Sequence, residues 1–213
     1  MSNYVLKYTR DKRVKYISHL DFIRLFHRAV RRSGVPFIYS QGFNPHPVMT
    51  VAMPLSVGVT SDGEYMKVGF EDVYPPEEIR ERINTALPPG FQVTQIHKLK
   101  AKEIDLNKIT KADYTVEIEL EPGEDIDVQR FLEFSELRVM KKTKSGEKED
   151  DIRPHIHRMA RVGREENTVT LQMRIDCGNS YNLKPETVAA AMEKYLDVHV
   201  IFLCVNRDAL ILE

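Results

Sequence analysis

Residues 4–9, Tyr-Val-Leu-Lys-Tyr-Thr, are β-branched, aromatic and apolar but for Lys7 and read as a strand, after which a helical period takes over. Phe22, Ile23, Leu25, Phe26, Ala29 and Val30 recur at the spacing of one helix face, while Arg24, His27, Arg28, Arg31 and Arg32 fall on the other. Ser18 is placed to cap that helix, and Gly34 ahead of Val35-Pro36 to end it, so the pattern predicts a helix over 19–33. Apolar runs at 48–54 and 64–70 predict two strands, joined through Leu55-Ser56-Val57-Gly58 and a turn at Ser61-Asp62-Gly63. A second helix starts behind Pro75-Pro76 with Glu77 and Glu78 in its first turn, and stops before Pro88-Pro89-Gly90. Residues 91–99 return to a strand. The order β-α-β-β-α-β is that of the split, ferredoxin-like unit.

Residues 100–112 are charged and irregular and are expected to form a linker. Beyond them the pattern predicts a strand at 114–120, a short helix at 127–134, and a strand pair at 137–142 and 168–175 around a long charged hairpin. A helix at 185–195 and a strand at 198–206 follow. The repetition is of element order, not of residues. The expected fold is α+β. It comprises two tandem ferredoxin-like units with antiparallel sheets and helices on one face, over residues 1–99 and 113–213.

Net charge alters this picture through its distribution. Residues 1–50 hold nine Lys or Arg against Asp11 and Asp21, a local +7, while the whole chain is near neutral at −1. Such asymmetry points to an anionic partner for the basic part. No stretch is long and apolar enough to span a membrane and the start lacks the apolar core of a signal peptide, so a cytoplasmic location without membrane partners is expected. Cys177 and Cys204 lie in strand-like apolar segments and read as buried reduced thiols, too few for a zinc or iron–sulfur site.

Three stretches then stand out: Tyr16-Ile17-Ser18-His19-Leu20-Asp21, Arg28-Ala29-Val30-Arg31-Arg32-Ser33-Gly34-Val35-Pro36, and Tyr39-Ser40-Gln41-Gly42-Phe43-Asn44-Pro45-His46-Pro47. With Pro54-Leu55-Ser56-Val57-Gly58 and Gly63-Glu64-Tyr65 they resemble the bacterial radical-SAM-linked family, a domain of unknown function found beside or fused behind B12-binding radical SAM proteins. The resemblance covers most of residues 4–96 and continues more thinly through Asp151-Ile152-Arg153-Pro154 and Leu183-Lys184-Pro185-Glu186. It implies a radical SAM protein as partner. The chain has no cysteine triplet for that enzyme's cluster, so the resemblance implies an accessory that recruits or holds the substrate. Tandem ferredoxin-like units also resemble the repeat-associated RNA-binding proteins of CRISPR systems, some of which cut RNA with a histidine.

Among candidate residues, Arg24, Arg28, Arg31 and Arg32 can each meet a phosphate oxygen, and guanidinium forks suit that contact better than ammonium groups. In the loop that follows, Pro45 and Pro47 stiffen the chain around His46, and Asn44 is pushed toward extended backbone. Phe43 either stacks on a base or anchors the loop to the core. His46 either contacts phosphate, acts as general base, or makes a structural hydrogen bond. His19 is the other catalytic candidate. Arg153, His155, His157, Arg158 and Arg161 form a second basic cluster, of which Arg153 and Arg158 are taken as phosphate contacts. Residues 141–151 are polar, and Glu64 paired with an arginine would be structural. No dinucleotide, phosphate-loop or zinc signature is present, so neither cofactor nor metal is expected.

These features allow three readings. The first is an RNA-binding accessory of a radical SAM enzyme acting in tRNA or rRNA modification. The second is a metal-independent endoribonuclease using His46 or His19. The third is a scaffold that docks the radical SAM partner.

Overall fold

The computed structural model describes residues 2–99, 105–143 and 146–212. The chain packs as two compact units, the first running to Ile109 and the second from Thr110. The architecture is α+β, with antiparallel sheet pairing.

In the first unit β1 (Ser2–Arg10), α1 (His19–Ser33), β2 (Met49–Val51), β3 (Thr60–Phe70), α2 (Pro76–Ala86) and β4 (Phe91–Lys98) follow in sequence. The strands lie in the order β4-β1-β3, with β2 on the far side of β3, and each of these pairs is antiparallel. The core is aromatic. Phe22 on α1 stacks on Tyr8 (5.1 Å between centroids, 13°) and meets Phe91 at 5.3 Å and Phe26 at 6.1 Å. Phe70, Ile79, Ile83, Met66 and Val68 complete it.

Here β2 is shorter and β3 longer than the sequence suggests. The expected turn at Ser61-Asp62-Gly63 is absorbed into β3, where Arg10 pairs with Ser61 across a bulge in β1. The ladder satisfies backbone groups that an Asp-Gly turn would leave to water. Glycine is required at Gly90 (φ +106°), where a β-carbon would lie 2.8 Å from Val14 Cγ1 and 2.9 Å from Asp11 Oδ1. Gly90→Ala is expected to destabilise the protein by more than about 1 kcal/mol, read from a shift of the urea midpoint at unchanged m.

Asp72, just past β3, ties the unit's strands together. It accepts hydrogen bonds from Lys98 Nζ (2.7 Å), Ser2 Oγ (2.9 Å) and Tyr4 OH (3.0 Å). Lys98 foremost, with smaller help from the Ser2 and Tyr4 hydroxyls, holds its carboxyl well below the usual range. Burial, then Asp72, push the Tyr4 phenol up to about 12. A depressed carboxyl stabilises the fold above its unfolded pKa and loses that stabilisation as pH falls through the folded value. Asp72→Asn is therefore expected to lower stability at neutral pH and to flatten its acid dependence below about pH 4.

The second unit comprises β5 (Ile109–Leu120), α3 (Val128–Glu133), β6 (Arg138–Thr143), β7 (Gly146–Asp151), β8 (Ile156–Glu165), β9 (Thr168–Asp176), α4 (Pro185–Leu196) and β10 (Val200–Leu212). Its main strands lie in the order β10-β5-β9-β8. Residues 105–112 are not linker. Asp105 caps a short 3-10 turn through Asn107 N–H (3.0 Å), and β5 begins at Ile109 because Ile109 and Ala112 are buried. Residues 100–104 of the expected linker lie outside the described residues.

The expected pairing of 137–142 with 168–175 does not form. Instead β6 pairs with β7 as a separate hairpin, and β9 takes β5 and β8 as neighbours. Val169, Leu171, Met173 and Ile175 of β9 are buried, and the apolar partners that match them are Val116 and Ile118 on β5 and Ile156 and Met159 on β8. Charged β6 offers no such face. Cys177 is buried, whereas Cys204 is only half-buried. Among the described residues no helix is long and apolar enough to cross a membrane.

Candidate nucleic-acid interface

Helix α1 is held at both ends. Ser18 Oγ accepts from the Asp21 N–H (3.2 Å) and donates to its carboxylate (2.8 Å), and Gly34 closes the C-terminus in the left-handed region at φ 73°. Phe22, Phe26, Ala29 and Val30 are buried beneath it. That fixes the outward rotation of Arg24, Arg28 and Arg32, one helical turn apart and about 6 Å along the axis from one to the next.

These three arginines line one groove of about 480 Å³, together with Ile17, Asp21, Leu25, Ala86, Leu87 and Pro88. The groove has a cationic wall and an apolar floor. Arg32 Nη2 donates to the Ala86 carbonyl at 2.7 Å, which orients it. Arg24 Nη1 sits 3.2 Å from Asp21 on the exposed surface, a pair worth at most about 1 kcal/mol and easily traded for phosphate. Among the described residues Arg28 makes no hydrogen bond or ion pair, so its five donors face the groove unengaged. Arg31 is exposed but does not line the groove. His27, expected with the arginines, is half-buried and edge-on to Phe37 at 5.7 Å. Burial, helped by His46, holds its imidazole below the usual value.

The loop after the helix is fastened at its base. Tyr39 bridges Pro47, the Ser40 N–H donates to the His46 carbonyl (2.8 Å), and the His46 N–H donates to Ser40 Oγ (3.0 Å). Ile38 and Val48 are each joined to the backbone of Gly69, where a β-carbon would come within 3.1 Å of Ile38 Cβ and 3.3 Å of Val48 Cβ. Gln41 through His46 project outward. Phe43 is fully exposed at the tip, so the core-anchor alternative is excluded and the aromatic face is free. Asn44 and His46 are exposed beside it, and the structural hydrogen bonds of His46 run through its backbone.

His19 is half-buried and lines a cavity of about 10 Å³ with Tyr8, Arg10, Phe22, Val51, Leu55 and Glu64. Glu64 is completely buried and Arg10 is 3% exposed. Arg10 donates to the carbonyls of Val14 (3.2 Å), Lys15 (2.9 Å) and Ile17, organising the turn into α1. Neither His19 nor His46 has a side-chain hydrogen-bond partner among the described residues to orient it as a base.

The second basic cluster separates into different roles. Arg153 directs Nε at the Leu132 carbonyl (3.1 Å) and Nη1 at the Ile156 carbonyl (3.4 Å), so part of its guanidinium is already engaged. Arg161 forks onto Asp125 at 2.8 and 2.9 Å. Arg158 is exposed and makes no side-chain bond among the described residues. His155 and His157 both engage Asp176, a residue that local sequence does not mark as functional. Its only sequence signal is the period-2 run Thr170, Gln172, Arg174, Asp176 on the open face of β9.

This is an α+β chain with an arginine-lined groove and an exposed aromatic loop. It belongs to the bacterial family described as "Uncharacterized protein conserved in bacteria (DUF2344)", whose model matches residues 3–185. No curated protein matches the sequence. A chain in the crystal structure of a Cbf5-Nop10-Gar1 complex aligns with 97% of this chain at 7% identity and TM-score 0.54, a likeness of fold alone. The present chain covers 48% of that one, about half its length. The crystal structure of an unknown protein from Galdieria sulphuraria aligns over 97% of this chain and 98% of its own, at 11% identity and a TM-score of 0.29.

Proposed function

We propose that the protein is an RNA-binding accessory that works with a radical SAM enzyme in tRNA or rRNA modification. The observation that carries the RNA part is the groove on α1, where Arg24, Arg28 and Arg32 stand one turn apart and Arg28 has no hydrogen-bond or ion-pair partner among the described residues. A strand laid along the groove would place successive phosphates on these arginines. Phe43, with Asn44 and His46 beside it, offers an exposed ring for an unstacked base. The radical SAM partner is inferred from the sequence resemblance around these same residues. We also read both units as ferredoxin-like. The strand orders β4-β1-β3-β2 and β10-β5-β9-β8 support this, with the β6–β7 hairpin as an insertion ahead of β8.

The test is binding of the purified chain to total tRNA and to rRNA fragments across a salt series. A log–log slope of about −2 to −3, one counterion per engaged arginine, supports the reading. No binding at low salt overturns it and leaves the groove as a docking surface for an acidic face of the radical SAM protein.

A further inference from the structure

The second unit carries a cluster that the RNA-binding reading does not use. On the open face of its sheet, His155 Nδ1 lies 2.6 Å from Asp176 Oδ2, and His157 Nε2 bonds the other oxygen of the same carboxylate. A carboxylate only accepts, so both rings donate to it and each keeps its second nitrogen for other work. His155 is fixed further by stacking flat on Tyr181, with centroids 3.4 Å apart at 8°. Tyr181 in turn donates to Asp150 (2.5 Å) and lies under Lys141 Nζ at 4.0 Å. The side chains of His155, His157 and Asp176 remain 25, 32 and 21% exposed, so the cluster is held yet reachable.

Charge balance sets its state. Asp176 can offset an imidazolium on either ring, and the Asp150 carboxylate, held on Tyr181, also acts on His155. Burial alone would raise the Asp176 carboxyl, but the hydrogen bonds from His157 and His155 outweigh it and hold the group below its usual range, so the negative charge persists. The geometry therefore lets one ring act as proton acceptor while the other acts as donor. Next to it, a bulge sets His157 and Arg158 together opposite Arg174. Arg158 and Arg174 line a cavity of about 160 Å³ with Gln172, Asp113 and Asp208. Arg174 is forked onto Asp113 at 2.7 and 2.8 Å, which leaves Arg158 as the cation available to a ligand.

We propose that His155 and His157, oriented by Asp176, form a general acid–base pair that cleaves RNA phosphodiesters without a metal. The neutral ring takes the proton from a 2′-hydroxyl as O2′ bonds to phosphorus. The protonated ring gives its proton to the departing 5′-oxygen as the P–O5′ bond breaks. The products are a 2′,3′-cyclic phosphate and a 5′-hydroxyl, the pair's proton count is unchanged, and nothing is oxidised or reduced. Arg158, next to His157 in the chain, is the cation that would offset the charge gathering on the phosphoryl oxygens. The inference does not rest on the arginine groove.

The full-length protein is incubated in EDTA with the ribodinucleotide uridylyl-uridine, too short to need the groove, with its deoxy analogue, and with a labelled single-stranded RNA of mixed sequence. Cyclic-phosphate product from the RNAs, a bell-shaped pH–rate profile, and a loss on the order of 100-fold or more in both His155→Ala and His157→Ala support the proposal. Asp176→Asn is expected to lower kcat with KM nearly unchanged, as befits a positioning residue. Unfolding of His155→Ala, checked by its thermal midpoint, would shift the decision to His157→Asn, whose ring makes no stack. No RNA cleavage above a mock purification, equal cleavage in the folded histidine variants, or cleavage of the deoxy analogue overturns it. Because the dinucleotide is too short to need the groove, its cleavage reads this site separately from any failure of the groove.

Discussion

Arg28→Glu is expected to weaken RNA binding on the order of 10- to 100-fold, while Arg31→Glu changes it far less. The two residues are exposed neighbours on one helix and carry equal charge, so net charge alone would rank them together. The groove separates them: Arg28 lines it and Arg31 does not. Losing one charge-assisted contact costs about 1.5–3 kcal/mol, which gives that range. Competition or fluorescence-anisotropy titration of each variant at one fixed salt concentration reads the difference. Equal losses in the two variants would mean that the helix acts as a diffuse cationic field, and the groove would lose its role.

Phe22→Ala is expected to be the most destabilising single change in the first unit, costing about 3–5 kcal/mol in urea unfolding. Phe22 touches Tyr8, Phe26 and Phe91, so its removal opens a cavity bounded by three rings that cannot collapse together. Leu20→Ala, two residues away and 65% exposed, should stay within about 0.5 kcal/mol. The contrast also bears on function. Phe22 is one of the four buried residues that set the rotation of α1, so any folded remnant of Phe22→Ala should bind RNA more weakly although no groove residue was changed.

Much of the first unit was legible because its signals are local. Ser18 and Gly34 bound α1 as read, and Pro76 and Pro88 bracket α2 as read. The misreadings came where a ladder outweighed a local preference, as at Asp62-Gly63 inside β3, or where partners lie far apart in sequence, as for β6 and β9. The candidate site divides in the same way. The arginine stripe follows from helical period, but sorting Arg28 from Arg31 needs the wall supplied by Leu87 and Pro88. Arg153 looks identical to Arg158 in the sequence, and only the carbonyls of Leu132 and Ile156 show that it is already engaged. Nothing near residues 155–157 points to Asp176, about twenty positions onward, because the pairing of β8 with β9 creates that meeting.

The fastening of the Phe43 loop has a kinetic side. Its ends are tied through Gly69 to the sheet and through Ser40 to His46, so the tip meets a partner already in shape. If the loop binds as proposed, encounter would be limited by diffusion and by the steering charge of α1, with no folding step ahead of docking. Changes at the tip should accordingly alter how long a complex lasts, whereas changes in ionic strength should alter how often one forms.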